Sequence, residues 1–234
     1  MKKSSLFVAA LFGLSIAGLS PASAQFGLPS IPGANLVPGM GGGGGGSGFS
    51  AAAASLTTNL KTALYNQVMA IALIQEAQGD KAKAGRLRAT AAAMQAMKQP
   101  SKDQMEKSLK AVEENPVNRE GLAKVKDAEG QKKVSQASGH MSVVLVYDGL
   151  AVASAAAMIA QKPGPGDLAN APAILEAAQM ALTALPAQTS NFQKYNEITE
   201  AYMKENNIPK PTAAEKQAIA KKTDPAAKSI GAGL

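Results

Sequence analysis

The stretch from Gly139 to Gln161, GHMSVVLVYDGLAVASAAAMIAQ, constrains this chain more than any other. Apolar residues occupy nearly every position of the helical wheel from Val143 to Ile159, so a helix here keeps no polar side for water. Such a helix must be covered, and the expectation is a buried central helix of a bundle. The run Ala155, Ala156, Ala157 would let a neighbouring helix come close. A bilayer crossing is the alternative, since the length suffices. Asp148 stands near the middle beside Gly149, and a charged side chain there costs about 2.5–3.5 kcal/mol on insertion, which favours the core helix.

Three polar groups interrupt this segment. At 100° per residue, His140 and Tyr147 lie about 20° apart on the wheel, while His140 and Asp148 lie about 80° apart and two turns away. They form no obvious catalytic pair. His140 is the only histidine in the chain, and Met141 follows it, so a Met/His haem site inside a bundle can be drawn. The plainer expectation is a capping or partly exposed histidine. For Asp148 it is a buried carboxylate satisfied by a lysine, arginine or tyrosine hydroxyl of a neighbouring helix, with a functional pocket acid as the alternative.

At the amino terminus, Lys2 and Lys3 precede an apolar run from Leu6 to Leu19, then Ser20, Pro21 and Ala22-Ser23-Ala24. That order is a secretory signal peptide, residues 1–24, cut after Ala24. An uncleaved inner-membrane anchor is the alternative. The chain contains no cysteine, so lipoprotein processing, disulfides and thiol chemistry are excluded. The mature protein is expected in the periplasm or the medium. Losing Lys2 and Lys3 takes 24 basic residues to 22 against 17 acidic ones, a net +5. This modest excess allows weak contact with an anionic envelope surface and is too small to indicate nucleic-acid binding.

Residues 25–49 carry three prolines and six consecutive glycines from Gly41 to Gly46, a composition expected to give a flexible arm. Phe26, Leu28, Ile31, Leu36 and Val37 are unexpected in a spacer, and they are the candidate partner-binding residues, docking on a protein partner or a groove of the bundle. A disordered terminus with incidental apolar residues is the alternative.

From Ser50 the chain turns alanine-rich, and a helical domain is expected over residues 50–222. Leu56, Leu60, Leu64, Val68 and Ile71 stripe a helix over 51–78, with Ser50 as N-cap and Gly79 as stop. Asp80 opens a basic helix ended by Gln99 and Pro100. Ser101 with Gln104 has capping-box spacing before a helix that stops ahead of Asn115 and Pro116. A weakly apolar segment over 119–136 is punctuated by Gly121 and Gly130. After the central helix, residues 162–167 break the chain. Asn170 can cap a helix with Pro172 in its first turn, ended by Pro186. Ser190 with Gln193 would cap another, carrying Phe192, Tyr195, Ile198 and Tyr202 as a core stripe rather than a sugar- or peptide-binding one. Thr212 with Glu215 opens a last short helix with only Ile219 and alanines to bury. Residues 223–234 read as a disordered tail.

Thirteen basic and eight acidic residues lie between Asp80 and Lys133, a pattern of i to i+4 pairs on a solvated face. No aromatic residue is there to stack a base. Glu113 with Glu114 and Glu197 with Glu200 are the tightest acidic groups, and no zinc-protease, serine-hydrolase, phosphate-loop or calcium-loop motif is present. The expectation is an all-α antiparallel bundle of six to eight helices, working as a non-catalytic exported interaction or structural protein of the bacterial cell envelope. A small-ligand or haem binder is the alternative.

Overall fold

A computed structural model describes residues 48–161 and 163–227. They form seven helices and no strand: α1 (Gly48–Ala77), α2 (Lys81–Ala96), α3 (Lys102–Glu113), α4 (Arg119–Ala123), α5 (Ala128–Ile159), α6 (Ala171–Glu205) and α7 (Ala213–Lys221). The residues expected to form a signal peptide, 1–24, and the candidate partner-binding residues Phe26, Leu28, Ile31, Leu36 and Val37, lie outside the described residues.

Helix boundaries follow local chemistry where it is strong. Gly79 takes φ +88°, the left-handed turn that glycine adopts without a Cβ clash, and the Asp80 amide donates back to the Gln75 carbonyl at 2.9 Å. Asp80 then accepts the Lys83 amide at 2.9 Å, so two residues stop α1 and start α2. Ser101 accepts the Gln104 amide at 3.4 Å, and Thr212 and Glu215 form the full reciprocal capping box. Ser50 does not cap α1. It lies inside the helix, next to Phe49 in the core, and its hydroxyl donates to Asp167.

Two expected boundaries are overturned. Pro186 does not end its helix: α6 runs 35 residues through it, and no helix starts at Ser190. Proline removes one backbone bond, to the Leu182 carbonyl, at about 3 kcal/mol or more. Buried Ala178, Ala181, Leu185, Thr189 and Phe192 keep three- and four-residue steps across the proline, so burial on both sides holds one register. The second overturned boundary is at Gly139. The central helix begins at Ala128, absorbing the end of the 119–136 segment and leaving α4 as a five-residue helix. A helical glycine costs only about 1 kcal/mol. At Gly139 it also makes room, since a Cβ would stand 2.9 Å from the Ile219 Cδ1 of α7.

The order of paired residues gives the topology. Asn59 meets Ser154, Gln67 meets Asp148, and a Cβ on Gly130 would approach the Ala77 carbonyl, so α1 and α5 are antiparallel. Thr189 meets Asp148 and Thr199 meets Met141, so α6 is antiparallel to α5 from another side. One apolar cluster joins Val68 to Ala77 of α1, Val134 to Val144 of α5, and Phe192 to Met203 of α6. A second joins Phe49 to Leu64, Ala151 to Met158, and Ala171 to Leu185. Phe192 and Tyr202 are core residues of the first, with Tyr195 and Ile198 packed at its edge. The Tyr202 hydroxyl donates to the Val125 carbonyl at 2.6 Å and ties α6 to the α4–α5 connection. Tyr202→Phe leaves that buried carbonyl unpaired, and urea denaturation is expected to show a loss of about 1–2 kcal/mol.

Two further expectations need correction. Thr223 to Ala227 are not tail: Asp224 bonds back to the Ala220 carbonyl at 2.9 Å, and Ala227 packs in a third cluster with Val143 and Tyr147. The central helix is also not covered all round. Along its last four turns Ala153 and Ala156 are exposed, as is Ala160 just beyond its end, while Val146, Leu150 and Ala157 are half-buried and pack with one side on the third and second clusters. Val146, Leu150, Ala153, Ala157 and Ala160 repeat at four, three, four and three residues and form one partly exposed apolar strip. By length and composition α5 could cross a membrane, and half of its most apolar window is buried against the other helices.

Candidate functional site

The two main clusters meet at a polar seam, at the level of Gln67 on α1, Asp148 on α5, and Gln188 and Thr189 on α6. Asp148 is wholly buried. Its carboxylate faces the Gln67 Nε2 at 3.2 and 3.4 Å and the Thr189 hydroxyl at 3.1 Å. Among the described residues no lysine, arginine or tyrosine partners it, and the Tyr147 hydroxyl donates instead to Asp224 at 3.0 Å. Burial pushes the Asp148 carboxyl up to about 7 against the pull of its two hydrogen bonds. A substrate could not touch it without separating α1, α5 and α6.

His140 is neither a cap nor partly exposed. It lies in the middle of α5, 4 % exposed, because the helix starts twelve residues before it. Its Nδ1 is 2.5 Å from the Asn66 Oδ1, and the Asn66 Nδ2 donates to the Thr62 carbonyl at 2.7 Å. With the asparagine so fixed, its oxygen must accept, and the imidazole carries its proton on Nδ1. Burial first, and the Lys222 charge second, hold the imidazole down to about 3, so it is neutral. Tyr147 and His140 share the side of α5 turned toward α7 and the residues after it, as their 20° separation on the wheel predicts.

Met141 does not join His140 in a ligand pair. Consecutive helical residues diverge by about 100°, and the Met141 sulfur lies in the first cluster, accepting from the Thr199 hydroxyl at 3.7 Å. An open cleft of about 530 Å³ lies at the far end, lined by Phe49, Thr57, Lys98, Asp167, Asn170 and Ile174 among others, and excludes both residues. Among the described residues no three His, Cys, Asp or Glu side chains converge as metal ligands.

The charged middle third carries the expected i to i+4 pairs: Lys102 with Glu106 at 4.0 Å, Lys110 with Glu114 at 3.7 Å, and Lys133 with Glu129. Lys133 also reaches Glu76 at 3.6 Å, and Arg88 pairs with the same glutamate. Exposed pairs of this kind contribute about 0–1 kcal/mol each. Composition did not reveal the two features that stand out in three dimensions, the seam and the partly exposed strip. The sequence signal for the seam was Gln67 on the apolar face of α1, one residue before Val68. For the strip it was the run of alanines after Leu150.

Comparison with protein-family models, with curated proteins and with solved structures finds no match.

Proposed function

We propose that this chain is a non-catalytic exported interaction protein of the bacterial cell envelope, which binds a protein partner by burying apolar helical surface. The observation that carries this reading is the partly exposed strip Val146, Leu150, Ala153, Ala157, Ala160 along the end of the most apolar helix. Small side chains at helical spacing allow a second helix to approach closely, and water gains from covering them. The one large apolar side chain left well exposed among the described residues is Leu168, just beyond the same end of α5. Export rests on the Lys2-Lys3, apolar-run and Ala22-Ser23-Ala24 order. The arm residues Phe26, Leu28, Ile31, Leu36 and Val37 supply a second apolar contact in this reading.

The buried titratable groups support binding rather than chemistry. Asp148 and His140 are each enclosed and committed to neutral partners. A haem on His140 and Met141 would need the imidazole drawn off Asn66 and a methionine that faces elsewhere.

The test is a pull-down from envelope extract with the mature protein, with Ala153→Glu, and with residues 25–47 deleted. Ala153→Glu is expected to keep the urea midpoint within about 0.5 kcal/mol, because that position is exposed on the strip. It is expected to lose the partner, since a charge would be desolvated in the contact. A partner held equally by all three proteins would overturn this reading.

A further inference from the structure

The hydrogen bonds around Asp148 do not balance if it is charged. The Thr189 hydroxyl has one proton and two oxygens within reach, the Leu185 carbonyl at 2.9 Å and the Asp148 Oδ2 at 3.1 Å. If that proton goes to Leu185, the usual back-bond of a helical threonine, the Thr189 oxygen must accept from Asp148. Only the acid form can give that proton. If it goes to Asp148 instead, the ion has two neutral donors, Gln67 and Thr189, for about four acceptor positions. It would then lie wholly buried with no cation.

The neighbouring helices supply no compensating charge. On α1 the group facing Asp148 is the Gln67 amide, and on α6 it is the Thr189 hydroxyl. On α5 itself, His140 is occupied by Asn66 and Tyr147 by Asp224. From the α7 side, Lys222 acts on His140, and among the described residues no charged group acts on Asp148. The Gln67 Oε1 and Gln188 Oε1 are buried at the same level without a partner. Turning the Gln67 amide over would offer its oxygen to a donor that only the acid form provides.

This seam also lies at the weakest turn of α6. Pro186 has no amide proton, so the Leu182 carbonyl lacks its backbone bond there. The Thr189 contact pins the same turn onto α5.

We propose that Asp148 is a proton-binding site of the folded protein, and that release of this proton loosens the Pro186 turn of α6 from α5. Burial raising this carboxyl to about 7 agrees with the hydrogen count. The proposal is independent of the envelope reading, because it concerns the bundle alone.

The experiment is a carbon-13 titration of the Asp148 carboxyl in the wild-type protein, assigned through its own Cβ, with amide-exchange protection measured over residues 182–190. The expected result is a midpoint at least two pH units above the ordinary value of about 4, with at least a tenfold loss of protection in that turn across it. Asp148→Asn, which keeps the shape without the acid, is expected to show no such loss. A midpoint below about pH 5 would overturn the proton site. A raised midpoint with protection unchanged across it would overturn the link to α6.

Discussion

Replacing His140 by Gln is expected to make the protein gain on the wild type in acid, by about 3 kcal/mol between pH 6.5 and about pH 4. The wild-type imidazole is held down to about 3 by burial, from an unfolded value of 6.5. Between these values the unfolded chain binds a proton that the folded chain refuses, so wild-type stability falls as pH drops through the window. Glutamine cannot titrate, yet its amide can donate to the Asn66 Oδ1 as the imidazole does. Asp148 works in the opposite direction. Its folded value is raised to about 7 from 3.8, so the unfolded chain releases a proton that the folded chain keeps, and stability falls as pH rises from about 4 to 7. The two slopes oppose each other in the wild type. Removing His140 leaves the Asp148 slope unopposed by the imidazole. The carboxylate caps Asp80, Asp127 and Glu215, held below their ordinary range mainly by backbone amides, act equally in both proteins. Urea midpoints of the two proteins at four pH values therefore isolate the His140 contribution. A constant difference across the series would show that His140 is not held neutral.

Phe192→Ala should cost about 3–5 kcal/mol, the largest single truncation effect expected here. Phe192 is fully buried in the first cluster, with the Tyr195 ring edge-on at 5.6 Å. Its role is larger than its area. It is the first large apolar anchor of α6 after Pro186, and the helix crosses the proline because burial continues on the far side. Removing the ring withdraws the packing that compensates the missing backbone bond. Thermal unfolding should start about 6–20 °C lower for a chain of this size. Amide protection should fall first beyond Pro186. A uniform loss along α6 would instead mean that the two halves stand or fall together, independent of the anchor.

The all-helical class was legible because the signals were local and repeated. Stripes at three and four residues, an Asp80 cap behind Gly79, and the Thr212–Glu215 box each act within one turn, so the chain states them wherever it packs. The errors occurred where a local rule met a long-range gain. Pro186 and Gly139 are breakers in an isolated peptide, but α5 and α6 bury enough surface on either side to carry both. The His140 error followed from the Gly139 one. A helix expected to begin at Gly139 placed His140 at its exposed end, whereas one that begins at Ala128 buries it.

The candidate site was less legible, since its meaning depends on partners far apart in the chain. Asp148 was visible as a polar group in an apolar helix. That it would meet Gln67 and Thr189 rather than a cation depends on the register of three helices, separated by 81 and 41 residues. The partly exposed strip depends on which sides of α5 the other helices leave open.

The sequence by itself determined the helices, most of their ends, the polar groups they would carry inward and the apolar length of the central one, because these depend on contacts within a few residues. Only the tertiary structure decided that α6 passes through its proline, that Asp148 meets no counter-charge among the described residues, and that one side of α5 stays partly exposed. Those outcomes turn on burial between distant segments, whose free energy exceeds any local preference of about 1–3 kcal/mol.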